Sequence, residues 1–182
     1  MGRAKEPLPV KLIASLFSVE EELIEKAKEA MAEHFGPADY ESELLPFDHT
    51  DYYAPEFGEG LVRRFLAFAE LVDPGELAGI KRWTNELEMK FAEGEKRRVN
   101  IDPGYVSQSK LVLATTKDHS HRIYLGQGIY AEVTLRFYKG SFRPWEWTYP
   151  DYASPAYISI FNRIREAYRK QLKHEEELTC KE

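Results

Sequence analysis

The stretch from Asp102 to Arg122 gathers the side chains best suited to chemistry. It holds the cations Lys110, Lys117 and Arg122, the hydroxyls of Ser107, Ser109, Thr115, Thr116 and Ser120, and the imidazoles of His119 and His121. Histidines two apart put both rings on one side of an extended segment. One of them there could act as general acid or base, or donate to a phosphate held by Lys117 and Arg122. An H-x-H pair can also present two imidazoles to one metal ion; one ring packed in the sheet and one in a surface loop is the arrangement we expect instead. Asp102-Pro103-Gly104 reads as a turn whose carboxylate caps its own backbone. The candidate catalytic residues are therefore His119, His121 and Asp102, and the candidate substrate-binding residues are Lys110, Lys117, Arg122, Tyr105 and Thr116.

A second group, Asp48-His49-Thr50-Asp51-Tyr52-Tyr53, sets two carboxylates around a histidine after a predicted strand. Asp48, His49 and Asp51 are the candidate metal ligands, with Mg²⁺ or Mn²⁺ as the cofactor that oxygen donors would favour. An ordinary acidic loop is an equal reading. A third group is aromatic: Phe142, Trp145, Trp147, Tyr149 and Tyr152, interleaved with Arg143, Pro144, Pro150 and Asp151. Such residues stack on bases or build interfaces, but a proline-stiffened lid over the core explains them slightly better. Gly126-Gln127-Gly128 reads as a hairpin turn. Nucleophile arrangements have little support, because there is no G-x-S-x-G elbow and Cys180, the single cysteine, lies in a polar tail.

Charge is unevenly distributed. Residues 1–94 hold 10 Lys/Arg against 20 Asp/Glu, whereas residues 95–182 hold 15 against 11. No Lys or Arg lies between Lys28 and Arg63, and only Asp102, Asp118 and Glu132 are acidic between Lys96 and Arg143. Either the two stretches neutralise each other across the fold, which we favour, or the second holds an anion and the first a metal ion. The net charge of −6 argues against duplex nucleic acid as a partner. One cysteine excludes an internal disulfide and a Cys-based zinc site. With 43% apolar and 31% charged residues, no membrane-length apolar run and a polar start, the chain reads as a cytoplasmic soluble protein. Sparse Asn and Gln beside abundant Glu, Lys and Arg is a balance common in heat-adapted proteins.

The elements that must position these groups follow from periodicity. Helices are predicted from Ser18, as N-cap with Glu21, to Gly36-Pro37; from Asp73-Pro74 to Gly94; and from Ser154-Pro155 to Lys173. Their apolar stripes are Leu23, Ile24, Ala27, Met31; Leu77, Ile80, Trp83, Leu87; and Tyr157, Ile160, Phe161, Ile164. Strands are predicted at 10–17, 40–47, 61–72, 98–101, 121–125 and 129–138, the last with Ile129, Ala131, Val133, Leu135 and Phe137 on one face. Residues 107–116 are read as a helix capped by Ser107. This order gives a single α+β domain over 1–182, frayed at 1–8 and 174–182. Its core is a ferredoxin-like split β-α-β unit with helices on one face of a mostly antiparallel sheet, extended by a β-hairpin and a C-terminal helix.

The whole chain resembles a prokaryotic family known as domain of unknown function 4416. The residues that carry the resemblance include Pro9-Val10-Lys11-Leu12, Leu45-Pro46-Phe47-Asp48, Thr84-Asn85-Glu86-Leu87, Val99-Asn100-Ile101-Asp102-Pro103-Gly104-Tyr105, Ser120-His121-Arg122-Ile123-Tyr124-Leu125 and Trp147-Thr148-Tyr149-Pro150-Asp151-Tyr152. The resemblance implies no established activity. Some members of the family carry a GTP-binding label, which this chain does not support: there is no G-x-x-x-x-G-K-[ST] loop, and Thr116-Lys117-Asp118 is a shortened echo of a guanine-reading Thr-Lys-x-Asp.

Two functions are expected from these residues. The first is an enzyme acting on a small phosphorylated or nucleotide-like anion, with or without a divalent metal. The second is a non-catalytic ligand- or protein-binding module, a homodimer through its sheet edge or aromatic loop. Neither involves duplex nucleic acid or a membrane.

Overall fold

The computed structural model describes residues 2–47 and 54–179. Its strands are β1 (Val10–Ser18), β2 (Ala38–Glu41), β3 (Leu45–Pro46), β4 (Val62–Val72), β5 (Asn100–Val106), β6 (Lys110–Thr115), β7 (Ile123–Gly126), β8 (Ile129–Tyr138) and β9 (Ser141–Pro144). Its helices are α1 (Glu21–Phe35), α2 (Ala54–Phe57), α3 (Leu77–Lys90) and α4 (Pro155–Thr179). The nine strands form one sheet in the order β2-β4-β1-β5-β6-β8-β7, with β3 added on β4 and β9 on β8. Every described pairing is antiparallel, so the fold is mixed α/β with an antiparallel sheet and a C-terminal helix.

β1 is buried along its whole length, as its near-continuous apolar run requires of a central strand, and its Lys11 is buried with it on Asp39 and Phe68 O. Its alternate residues serve two different cores. Leu12, Ala14 and Leu16 pack with Leu23, Ile24, Ala27 and Met31 of α1 and with Ile80 and Leu87 of α3. Ile13 faces the other way, where Phe65, Ala67, Leu111 and Leu135 meet Tyr157, Ile160, Phe161 and Ile164 of α4. The helices therefore lie on both faces of the sheet: α1 and α3 on one, α4 on the other. Tyr168 donates to Pro9 O before β1 and Gln171 Nε2 to Ala69 O of β4, and α4 continues to Thr179 past the point where fraying is predicted.

Several local expectations are corrected. Residues 107–116 are not a helix. Ser107 Oγ accepts from Lys110 N in a tight turn, and 110–115 continue as β6, buried on both faces. The apolar run Leu111–Ala114 fits a two-sided central strand as well as one turn of helix, and length alone cannot separate them. Asp102-Pro103-Gly104 is not a turn but the middle of β5. Residues 40–47 form two short strands rather than one. Ser18 does not close a box with Glu21; its hydroxyl donates to Arg98 O and accepts from Glu20 N. The second helix opens as a 3-10 turn at Pro74–Glu76, with Asp73 capping Gly75 N, before α3 proper. The alternation of β8 is broken by a bulge at Thr134, where the register passes from Val133 opposite Val112 to Leu135 opposite Leu111. Ile129 and Ala131 thus face α3, while Leu135 faces α4. The hairpin at Gly126-Gln127-Gly128 is as expected, with all three residues at positive φ.

β5 and β6 approach closely at Gly104. A Cβ there would sit 2.2 Å from Val112 O and 2.8 Å from Leu113 Cδ2. Gly104→Ala is expected to lower the melting midpoint by roughly 6–12 °C, because the ladder must open to admit it. Gly79→Ala on α3, with nothing within 4 Å, is expected to raise it by about 2–4 °C through helix propensity. Equal midpoints for the two variants would contradict this packing, and a thermal melt followed by circular dichroism decides it.

Candidate functional site

The site begins where the sheet divides. β5 pairs with β6 only at Gly104, Tyr105 and Val106. In an antiparallel strand alternate residues aim both backbone groups at the same neighbour, so Ile101 and Pro103 turn towards β6 as Tyr105 does. Proline has no N–H to give, and the pairing stops there. Ile101, one step further, needs other partners. Its N–H donates to Glu88 Oε1 at 2.6 Å, and its carbonyl accepts from Lys81 Nζ at 2.9 Å. Lys81 and Glu88 are seven residues apart on α3, two turns along one face, so the helix supplies both bonds that a strand would have made.

From this fork a chain of ionic contacts runs outward. Lys81 Nζ donates also to Asp102 Oδ1 (3.1 Å), and Asn100 Nδ2 to Asp102 Oδ2 (2.8 Å). Arg97 donates to Glu88 Oε2 and Asn100 Oδ1, and grips both oxygens of Glu56 at 2.7 and 2.8 Å. Lys81, Glu88 and Asn100 are buried, whereas about a third of the Asp102, Arg97 and Glu56 side chains is exposed. Burial raises the carboxyl pKa of Glu88, offset in part by Lys81, the Ile101 N–H and Arg97. The Arg97 hydrogen bonds lower that of Glu56 against its own partial burial, and the charge of Lys117 lowers it slightly more. A cleft of about 370 Å³ opens beside this chain, lined by Glu20, Glu56, Phe57, Arg97 and Arg98 among others.

The second centre lies on the α4 side of β8. Alternation with Ile129 and Ala131 turns the buried Glu132 carboxylate to that side, where it accepts from Arg122 Nε (2.8 Å) and Thr134 Oγ1 (3.2 Å) and pairs with His121 Nε2 (3.2 Å). Arg122 donates further to Lys117 O and to Tyr149 Oη. Residues 145–149 are strapped over β8 by Trp147 Nε1 to Val133 O and Thr148 Oγ1 to Thr134 O. Tyr152, further along the same loop, is buried against Phe65, Tyr157 and Phe161.

The predicted residues separate accordingly. His121 and Arg122 belong to the second centre, Asp102 to the first, and Lys117 stands between them, bonded to Arg122 through its carbonyl and acting on Glu56 through its charge. His119 stacks on His121 at the surface. Thr116 is exposed beside them. Lys110 opens β6 opposite Arg136, about 17 Å from Thr115 at the strand rise, and does not join the group. Tyr105 faces α3 with Val112 and Ala114, on the side away from Asp102, and burial raises its phenol pKa. Asp48, His49 and Asp51 lie outside the described residues; among those described, no three His, Cys, Asp or Glu are placed to hold a metal ion. Sequence reasoning missed Lys81 and Glu88. Their signal was present: both fall on the apolar stripe of α3, where a charge needs a buried partner.

The two carboxylates at the fork respond oppositely to pH. A raised Glu88 pKa means that the folded state holds the proton more tightly, so its contribution is present at low pH and lost as pH rises. A lowered Glu56 pKa contributes above the carboxylate range and is lost on acidification. Relative to Glu88→Gln, the native chain is expected to gain stability between neutral pH and about pH 4.5; relative to Glu56→Gln it is expected to lose it. Urea unfolding at the two pH values reads both slopes, and slopes of the same sign would contradict the assignment.

No helix among the described residues is long and apolar enough to cross a membrane. No curated protein and no solved structure matches the chain. A family model does, over residues 8–168, which takes in every strand, the fork and the Glu132 centre. The chain belongs to the family described as Domain of unknown function (DUF4416).

Proposed function

We propose that this chain binds and acts on a small phosphorylated or nucleotide-like anion, by hydrolysis or by phosphoryl or nucleotidyl transfer. The observation that carries the reading is the pairing of His121 Nε2 with the buried Glu132. A carboxylate on one ring nitrogen holds the imidazole in one orientation and sets the proton there, leaving Nδ1 to exchange protons with a ligand. Lys117, whose carbonyl holds Arg122 and whose charge acts on Glu56, supplies charge for the anion. Arg122 is engaged by Glu132, Lys117 O and Tyr149, so its role in the reading is to hold the loop rather than the ligand. Asp48, His49 and Asp51 keep the divalent Mg²⁺ or Mn²⁺ in this reading. The fold that goes with it is ferredoxin-like for the first half: β1 and β2 flank β4, antiparallel to both, which supports a split β-α-β unit, though such a fold hosts many activities.

A thermal-shift panel of nucleotides, sugar phosphates and pyrophosphate, each with Mg²⁺, Mn²⁺ or EDTA, tests this. A ligand at a hundred times its Kd is expected to stabilise by about 2.7 kcal/mol, a midpoint rise of roughly 5–10 °C. Lys117→Ala is expected to weaken that response at least tenfold. His121→Ala is expected to keep binding and lose turnover. No response to any compound in any metal condition rejects the reading; a response unaffected by EDTA rejects its metal.

One observation favours the second reading, a non-catalytic module that is a homodimer. Ile123, Tyr124 and Leu125 are consecutive on the outermost strand β7 and are 71%, 59% and 42% exposed. Apolar side chains on an outer strand invite another chain. On this reading light scattering gives a dimer for the native chain and a monomer for Leu125→Lys. A native monomer across the micromolar range dismisses it.

A further inference from the structure

The rings around His121 form a ladder. His119 lies on His121 with centroids 6.0 Å apart and planes 9° from parallel. His121 lies on Trp147 at 5.6 Å and 15°, and Trp147 on Trp145 at 5.2 Å and 12°. These are offset-stacked separations. At the far end the Arg136 guanidinium sits 4.2 Å above the Trp145 ring and closes the ladder with a cation. At the near end His119 is exposed, and no aromatic ring or guanidinium covers its outer face among the described residues.

The inner rungs are fixed by bonds that have nothing to do with stacking. Glu132 holds His121, the Val133 carbonyl holds the Trp147 indole, and Thr148 holds the Trp145 backbone. A surface histidine ordinarily loses side-chain freedom when a ligand settles on it; here the rungs beneath give its ring a ready-made orientation, which reduces that cost. A flat face of fixed direction, two residues from Lys117, suits a ligand that carries a planar heteroaromatic ring and an anion on one short frame. A mononucleotide has that frame. The net charge of −6 disfavours a long polyanion in its place.

We infer that the outer face of His119 is a stacking platform for the base of a mononucleotide, the ring extending the ladder and its phosphate turning to Lys117. The inference rests on the phosphorylated-ligand reading above and names the part of the ligand that reading leaves open. It also divides the two histidines: His119 binds, and His121 moves the proton.

The test titrates the full chain with AMP, GMP and ribose 5-phosphate by calorimetry, and follows tryptophan fluorescence in a Trp83→Phe background so that only Trp145 and Trp147 emit. At least one nucleotide is expected to bind the native chain roughly tenfold more tightly than ribose 5-phosphate and to change the emission. His119→Ala is expected to erase that advantage and leave ribose 5-phosphate binding unchanged, and His119→Phe to restore it. Nucleotides that bind no more tightly than ribose 5-phosphate, or that bind His119→Ala as they bind the native chain, overturn the platform while the phosphorylated-ligand reading stands. Binding of none of the three overturns the platform, and the panel above then decides the broader reading separately.

Discussion

The buried charges of α3 in this structure depend on one missing hydrogen-bond donor. Pro103 has no N–H to offer β6, so the two strands part at a point where the sheet is otherwise continuous. A buried backbone amide left without a partner costs about 1–3 kcal/mol, so the Ile101 peptide has to be satisfied from elsewhere. Lys81 and Glu88 of α3 do this, and the consequence spreads. Two charged side chains are drawn into the interior, each needs its own partner, and the partners Asp102, Arg97, Asn100 and Glu56 lead step by step to the surface. A gap in a β-ladder becomes a chain of ionic contacts that reaches the surface.

β8 carries an irregularity of its own. A bulge puts two residues of that strand against one of β6 and reverses which side chains face α4 beyond it. Glu132, just before the bulge, is buried on the α4 side by ordinary alternation with Ala131, and its charge is met by Arg122, with His121 on the same oxygen. Removing one partner of such a pair leaves the other buried and uncompensated, a loss of about 3–5 kcal/mol. The arginine is therefore committed to the fold, whereas the imidazole is less buried and held at one nitrogen.

The elements whose apolar spacing points to one answer were legible: β1 and the three long helices bury the residues their pattern predicts, whereas the run of β4 fits a helical stripe as well and only its pairing makes it a strand. The uneven charge was legible too, but it is only partly neutralised between the two stretches: Glu56 meets Arg97, whereas Asp39 and Glu41 meet Lys11, Lys28 and Arg64 of the first half. Residues 107–116 were not legible, because a short run buried on both faces has no period. Nor was Asp102-Pro103-Gly104, since Pro-Gly signals a turn locally and only the pairing with β1 keeps it extended. Of the residues singled out by type, His121 pairs with Glu132 and Asp102 with Lys81. Lys81, Glu88 and Glu132 went unnoticed because nothing in one dimension says which charge will be enclosed.

What the sequence determined alone is the inventory and the local form: which segments are amphipathic, where glycine permits a hairpin and that Pro103 cannot donate. Those properties are short-range, set by covalent geometry and the spacing of apolar side chains. The stacking of His119 on His121 comes instead from a turn in which Arg122 N donates to His119 O. What only the tertiary structure decided is which groups meet. That α4 covers the face opposite α1 and α3, that Lys110 and Tyr105 stand apart from Lys117, and that two histidines continue a ladder begun by two tryptophans all depend on strand order and register. Register is cooperative, because one residue of slip turns every side chain of a strand to the other face, and so it belongs to the whole sheet rather than to any segment of it.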